Sequence, residues 1–278
     1  MKFGLHVSIS GSIDRSVDRA VEFGCDVFQI FSRSPRMWKA RELKQPEVDL
    51  FREKLKASNL GVNGHMPYLP NPATPKDDMY KKSVGVLVEE LGRCEALGLP
   101  YLVSHMGSHL GSGVDAGIKR IQAALDTALK GSNGVVILLE NGAGGKNSMG
   151  SRFEEIGRIL EGLKYGDRVG VCFDTCHAYA AGYDLRSRVA VDSVIDGLEG
   201  YVGLDRVELV HLNDCVSALG TGRDRHEHIG LGEIGLEGFR AFLGSRFSSI
   251  PMVMETPVDD RRDDAGNMAA IRELAASL

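Results

Sequence analysis

Val135-Val136-Ile137-Leu138-Leu139-Glu140 is a run of five branched apolar residues that stops on a carboxylate. Near-continuous apolar runs of this length suit strands of a parallel sheet covered on its outer face. Similar β-rich runs recur at Gly4–Ser8, Val27–Phe31, Gly61–His65, Tyr101–His105, Val169–Asp174, Val207–His211 and Pro251–Glu255, making eight in all. Helical stripes lie between them. Ile118, Ile121, Leu125 and Leu129 form one that ends at Gly131, and Val84, Leu87, Leu91 and Cys94 form another that ends near Gly98. The first helix is expected to start at an N-cap Ser12, with Ile13, Val17, Ala20 and Val21 on its apolar face. Eight alternating units without a linker predict a (β/α)₈ TIM barrel, one domain spanning residues 1–278.

An open doubly wound sheet also alternates strand and helix, but it gathers its functional residues near one switch point. Here His65, His105, Glu140, Asp174, His211 and Glu255 close six consecutive runs, 34 to 44 residues apart. A closed barrel brings such ends together at one mouth, where these folds place their active sites. A lone histidine at a strand end is ordinarily a hydrogen-bonded structural residue. Six consecutive strand ends point instead to a metal centre. Mixed imidazole and carboxylate donors suit zinc first, with manganese or iron as alternatives. His177, three residues beyond Asp174, and the Asp224-Arg225-His226 run bring the candidates to nine. Nine exceed the needs of one ion and match a cluster of two or three, an arrangement suited to phosphate-ester hydrolysis.

Composition sets limits on partners and surroundings. The chain has 278 residues, 43% hydrophobic and 26% charged, with no apolar stretch of membrane-spanning length. Met1–Gly11 lacks the pattern of a signal peptide, so a cytoplasmic protein without a membrane partner is expected. Five cysteines without such a signal suggest reduced thiols. A net charge of −5 speaks against a nucleic-acid partner. Three divalent ions would add six positive charges at the mouth and remove that objection.

The run Val171-Cys172-Phe173-Asp174-Thr175-Cys176-His177-Ala178-Tyr179-Ala180-Ala181-Gly182-Tyr183-Asp184 resembles the signature of the endonuclease IV family of apurinic/apyrimidinic endonucleases. Ser104–His109, His211-Leu212-Asn213-Asp214 with Asp224-Arg225-His226, and Met254-Glu255-Thr256 resemble further family motifs in the same order. The resemblance implies a TIM barrel with three zinc ions, manganese being an alternative at one site. It places His65, His105 and Glu140 on the first ion, and Glu140, Asp174, His211 and Glu255 on the second. Asp224, His226 and His177 fall to the third. The implied activity is cleavage of double-stranded DNA 5′ to an abasic site, leaving a 3′-hydroxyl, with removal of 3′-blocking groups. Glu140 and Glu255 would be catalytic, positioning a hydroxide between two ions, and Glu255 would accept its proton. Arg36 and Tyr68 match positions that contact DNA while the damaged nucleotide is flipped out, and a monomer fits the family. Gly142 departs from the pattern, which has Thr there, and Lys146 and Met149 vary the following loop.

Several motifs read more plainly. Gly142–Ser148 lacks the spacing of a phosphate loop. Cys172, alternating with Asp174, and Cys176 read as structural thiols. His6 reads as a satisfied histidine at the mouth, and His109 and His228 as supporting or phosphate-contacting residues. The main rival is a metal-dependent sugar isomerase or epimerase on the same barrel, which has no use for the His177, Asp224 and His226 set or for Arg36 and Tyr68. A catalytically idle damage-binding protein is a second rival, disfavoured because all nine ligand positions are filled.

Overall fold

The computed structural model describes residues 1–278 and forms a closed parallel barrel of eight strands. The first seven are β1 (Phe3–His6), β2 (Val27–Phe31), β3 (Gly61–His65), β4 (Tyr101–His105), β5 (Val136–Glu140), β6 (Val169–Asp174) and β7 (Val207–His211). A small antiparallel ladder follows, β8 (Asp214–Cys215) with β9 (His226–Glu227), and β10 (Met252–Met254) closes the barrel between β7 and β1. The TIM-barrel expectation holds. Three strands have new bounds, β5 by a single residue, starting at Val136. The first strand runs from Phe3 to His6 rather than from Gly4 to Ser8, and the last stops at Met254, so Glu255 sits just beyond it.

Nine helices cover the barrel: α1 (Arg15–Glu22), α2 (Gln45–Ser58), α3 (Asp77–Leu97), α4 (Val114–Leu129), α5 (Phe153–Glu161), α6 (Thr175–Ala181), α7 (Arg188–Tyr201), α8 (Gly235–Leu243) and α9 (Asp264–Ala276). No helix is long and apolar enough to cross a membrane. The stripe on α4 is buried as expected, and α3 ends at Gly98 in the left-handed conformation that glycine adopts without strain. The start of α1 differs. Its flank is Asp14 rather than Ser12, and Val21 is exposed while Ile13, Val17 and Ala20 are buried. Val21 lies off the face that the helix turns to the barrel.

Strand periodicity builds the interior. A small cluster of Val27, Val103, Leu138, Cys172, Leu209 and Val253 plugs the barrel, one side chain from each of six strands. Two residues further along each of those strands, and so on the same face, come Gln29, His105, Glu140, Asp174, His211 and Glu255. The apolar layer is thus the floor of a polar one at the C-terminal mouth. Cys172 belongs to that floor, and all five cysteines are buried free thiols.

A buried ionic network fixes the loop after β2. Glu90 on α3 is fully buried and pairs with Arg33, while its other oxygen accepts from Ser32 Oγ at 2.6 Å. Arg33 donates to the carbonyl of Trp38 and Arg93 to that of Arg41, at 3.1 and 2.9 Å. The segment that carries Arg36 is therefore anchored on both sides. Removing one member of such a network strands the others in a poorly solvated place. Glu90→Ala should lower the free energy of unfolding by about 3–5 kcal/mol in urea titration, whereas exposed Glu89→Ala should cost well under half of that.

Candidate metal centre

All nine side chains singled out as ligands meet at the barrel mouth. Glu140 is the hub, with a buried carboxylate faced by four imidazoles: His211 Nδ1 at 3.0 Å, His65 Nε2 and His177 Nδ1 at 3.3 Å, and His105 Nδ1 at 3.4 Å. Ligand atoms of His65, His105 and Glu140 lie within 4.8 Å of one another, as do those of Glu140, Asp174, His211 and Glu255. The remaining three are joined by Asp224, whose two oxygens lie 3.1 Å from His177 Nε2 and 3.2 Å from His226 Nε2. His177 and His226 also group with Asp174, and Asp224 and His226 with Cys176.

Local sequence explains the placement. Asp174 ends β6 and caps α6, accepting the backbone N–H of His177 at 2.7 Å, so the Asp-x-x-His spacing turns His177 toward the same carboxylate. The longer excursion after β7 is held by Asp214, which accepts the N–H groups of Gly230, Gly232 and Ile234 at 2.9–3.0 Å. It brings His226 back over the mouth, where Nδ1 lies 3.0 Å from the Glu255 carbonyl.

The orientation of the rings tests whether a cation fits. His65, His177 and His226 each place Nδ1 against a backbone carbonyl, those of Met66, Asn141 and Glu255, at 2.7, 2.9 and 3.0 Å. A carbonyl only accepts, so those nitrogens carry the proton and the Nε2 lone pair is left facing carboxylate oxygens. His211 is reversed, with Nε2 at 2.9 Å from the Gln29 amide oxygen and Nδ1 toward Glu140 and Glu255. The buried Nε2 of His226, although 3.2 Å from an Asp224 oxygen, is not aligned with it for a hydrogen bond. A lone pair aimed at an anion is repulsive unless a proton or a cation stands between them. Divalent metal therefore fits these donors.

Titration behaviour follows from the same contacts. Burial disfavours charge on His177, but Asp174, Asp224 and Glu140 raise its pKa well above the usual value. Burial likewise lowers His211, and Cys172, Glu255 and Glu140 outweigh it. His226 is pushed up to about 9, Asp224 and Asp174 overcoming its desolvation. Glu140 and Glu255 stay well below the carboxylate range despite burial, because the imidazoles favour their charged forms.

The proposed DNA contacts flank this centre. Tyr68 is 60% exposed, its ring edge-on to Phe31 at 5.2 Å and 6.4 Å from that of His65. Its N–H donates to the Pro35 carbonyl at 3.2 Å, which ties it to the loop bearing exposed Arg36. Partial desolvation of the phenol on its covered side and the charges of Glu255, Glu140 and Asp224 push the Tyr68 pKa up to about 12. Beside the cluster lies a cavity of about 240 Å³ whose wall includes His105, Glu140, His177, Asp224 and Ser148. Gly142 also lines it, and a Cβ there would stand 2.7 Å from the Met149 carbonyl oxygen. This loop has no room for the threonine of the family pattern.

Four residues at the mouth were missed or undervalued in sequence. Gln29 and His6 extend the polar layer to the two strands that had no candidate. Asn141 accepts the Asp174 N–H at 2.7 Å. Asn213 donates to Asp174 Oδ2 and accepts the Glu255 N–H, both at 2.7 Å. His6 bonds Glu255 at 3.0 Å but leaves its buried Nε2 without a partner, so it is only half satisfied. His109 and His228 are structural: His109 Nδ1 accepts the N–H groups of Gly111 and Gly113, and His228 bonds Asp259 and Asn267.

Comparison with known proteins agrees with this architecture. A family model described as a xylose isomerase-like TIM barrel matches residues 17–278. The probable endonuclease 4 of Methanoculleus marisnigri is 52% identical over 278 residues, covering 99% of both chains. The crystal structure of endonuclease IV from Thermus thermophilus superposes with a TM-score of 0.90 at 36% identity, covering all of both chains. A D-tagatose 3-epimerase-like protein gives a TM-score of 0.74 at 20% identity over 100% of this chain and 97% of that one, a likeness of fold alone.

Because neighbouring carboxylates raise the pKa values of His177, His211 and His226, zinc competes with protons for their ring nitrogens. Calorimetric titration in buffers of different ionisation enthalpy should show net proton release on zinc uptake. Apparent affinity should fall as pH drops below about 9, the value for His226. A titration independent of buffer and pH would contradict the raised pKa values of these rings.

Proposed function

The chain belongs to the endonuclease IV family, and from that premise we propose that it is a DNA repair enzyme acting on double-stranded DNA. The reaction is hydrolysis of the phosphodiester 5′ to an abasic site, and the same centre clears blocked 3′ ends. The observation that carries this reading is the third group of ligands. His177, Asp224 and His226 stand beside the Glu140, Asp174, His211 and Glu255 set, and Glu140 and Asp174 join the two groups. A sugar isomerase needs no such extension.

His65, His105 and Glu140 would hold the first ion, Glu140, Asp174, His211 and Glu255 the second, and His177, Asp224 and His226 the third. Three zinc ions per chain fit these donors, manganese being the alternative at one. Ions bound there supply positive charge for a phosphodiester and acidity for a water molecule.

The side chains account for the rest of the chemistry. As water attacks phosphorus, the bond to the 3′ oxygen of the preceding nucleotide breaks, and that oxygen leaves as an alkoxide that takes a proton from solvent to become the 3′-hydroxyl, while the phosphate stays on the 5′ side of the abasic nucleotide. Glu255 takes the proton of the attacking water, its carboxylate held in place at Oε1 by His6 and Gln29. Glu140 fixes the spacing of the surrounding imidazoles. Arg36 and Tyr68, on adjacent loops at the rim, hold the strand while the abasic nucleotide is extruded, a step cheapest where no base has to be unstacked. The active unit is residues 1–278 as one domain, working as a monomer in the cytoplasm.

A duplex containing one tetrahydrofuran abasic analogue should be cut on the 5′ side of the lesion, and prolonged chelation should abolish cutting. Metal analysis should find three zinc-like ions per chain, and a single ion with sugar isomerisation would favour the rival. Glu255→Gln should lower turnover by about 10²–10⁴-fold with the fold retained. Arg36→Ala combined with Tyr68→Ala should erode the preference for abasic over intact duplex, and an unchanged preference would remove both residues from recognition.

A further inference from the structure

Gln29 is a fully buried amide on a barrel strand otherwise made of apolar residues. Its side chain makes two contacts that bear on the metal centre. The oxygen lies 2.9 Å from His211 Nε2, and the nitrogen donates to Glu255 Oε1 at 2.9 Å. His211 and Glu255 come from different strands, yet their ligand atoms meet at 3.3 Å, between His211 Nδ1 and Glu255 Oε2.

We propose that Gln29 is a positioning residue that orients His211 and Glu255 together for one metal ion. The inference rests on the metal-centre reading above. An amide oxygen accepts only, so contact with it places the His211 proton on Nε2 and leaves Nδ1 bare toward Glu140 and Glu255. Across the same amide, the nitrogen occupies Glu255 Oε1, which turns Oε2 toward His211. One planar group thus sets the tautomer of one ligand and the rotamer of another. Neither is secured by its strand alone, since Glu255 lies beyond the end of β10 and is otherwise held by Asn213 and His226 through its backbone and by His6 through Oε1. His211 relies on a side-chain amide for its tautomer, where His65, His177 and His226 use the backbone.

The test compares the full-length protein with Gln29→Met, which keeps the length and removes both contacts, and Gln29→Glu, which keeps an acceptor for His211 and loses the donor to Glu255. Zinc affinity is measured by competition with a chromogenic chelator, and ligand geometry by the visible spectrum of the cobalt-loaded protein. Gln29→Met should lose about 10- to 100-fold in affinity at one ion, with an altered cobalt spectrum and an unchanged far-ultraviolet circular dichroism spectrum. Gln29→Glu should be affected as well, and it carries the test should the methionine variant fail to fold. Wild-type affinity and a superimposable spectrum in the folded variants overturn the inference while leaving the metal centre standing. A wild-type protein that binds no zinc overturns both.

Discussion

Negative charge buried at the mouth of the barrel is the constraint on which the rest depends. Glu140 and Asp174 are both almost wholly shielded from water, and isolated carboxylates in such a place would protonate rather than stay ionised. Four imidazoles around Glu140 change that balance, and in His65 and His211 the other ring nitrogen is committed elsewhere. The tying of His65, His177 and His226 to backbone carbonyls makes the arrangement directional: the rings cannot turn to satisfy the carboxylates with their own protons without giving up a hydrogen bond. What remains is a set of lone pairs and anions that only added positive charge can reconcile.

The barrel supplies this arrangement at little cost to its core. Strand alternation sets an apolar residue two positions before each polar one, so the floor of the site is also the plug of the barrel. Helices outside the strands bury the opposite faces in a much larger apolar cluster. Residues that must come from loops are treated differently. Asp224 and His226 lie on the excursion after β7, and the fold spends one fully buried carboxylate, Asp214, on gathering its backbone N–H groups. Arg36 and Tyr68 are held at one remove through Arg33, Glu90 and the Pro35 carbonyl, which leaves their own tips exposed.

Much of this could be read in the chain before any coordinates. His65, His105, Glu140, Asp174 and His211 each end an apolar run, and reactive side chains at strand ends have a meaning in a barrel that they lack elsewhere. Glu255 was legible for the same reason, although it lies one residue past its strand. Gln29 was not, because a single amide in Val-Phe-Gln-Ile-Phe looks like a polar interruption in a core strand. The two-residue offset from Val27 was the available signal, since the same offset links Leu138 to Glu140 and Cys172 to Asp174. His6 was seen but judged satisfied, and only coordinates reveal an unpartnered nitrogen. Val21 reads as part of the apolar stripe of α1 in sequence, yet it is exposed, because periodicity alone does not fix how the helix is rotated against the barrel. The absence of Thr at position 142 was visible in sequence, but its reason was not, since the close approach of Met149 comes from a loop folding back on itself.

The acidic balance of the chain remains to be reconciled with a polyanionic substrate, and position settles it better than net charge. Four carboxylates, Glu140, Asp174, Asp224 and Glu255, belong to the centre, and taking these four from the chain's −5 leaves the remainder close to neutral at −1. The surplus of negative charge is therefore concentrated where cations are to be bound. Loaded with the three divalent ions proposed above, that pocket would pass from four negative charges to an excess of two positive ones. The ions would sit in a low-dielectric mouth where each charge acts strongly on a nearby phosphate. On this account attraction to DNA belongs to the loaded centre rather than to a basic surface, and the metal-free mouth repels the same substrate.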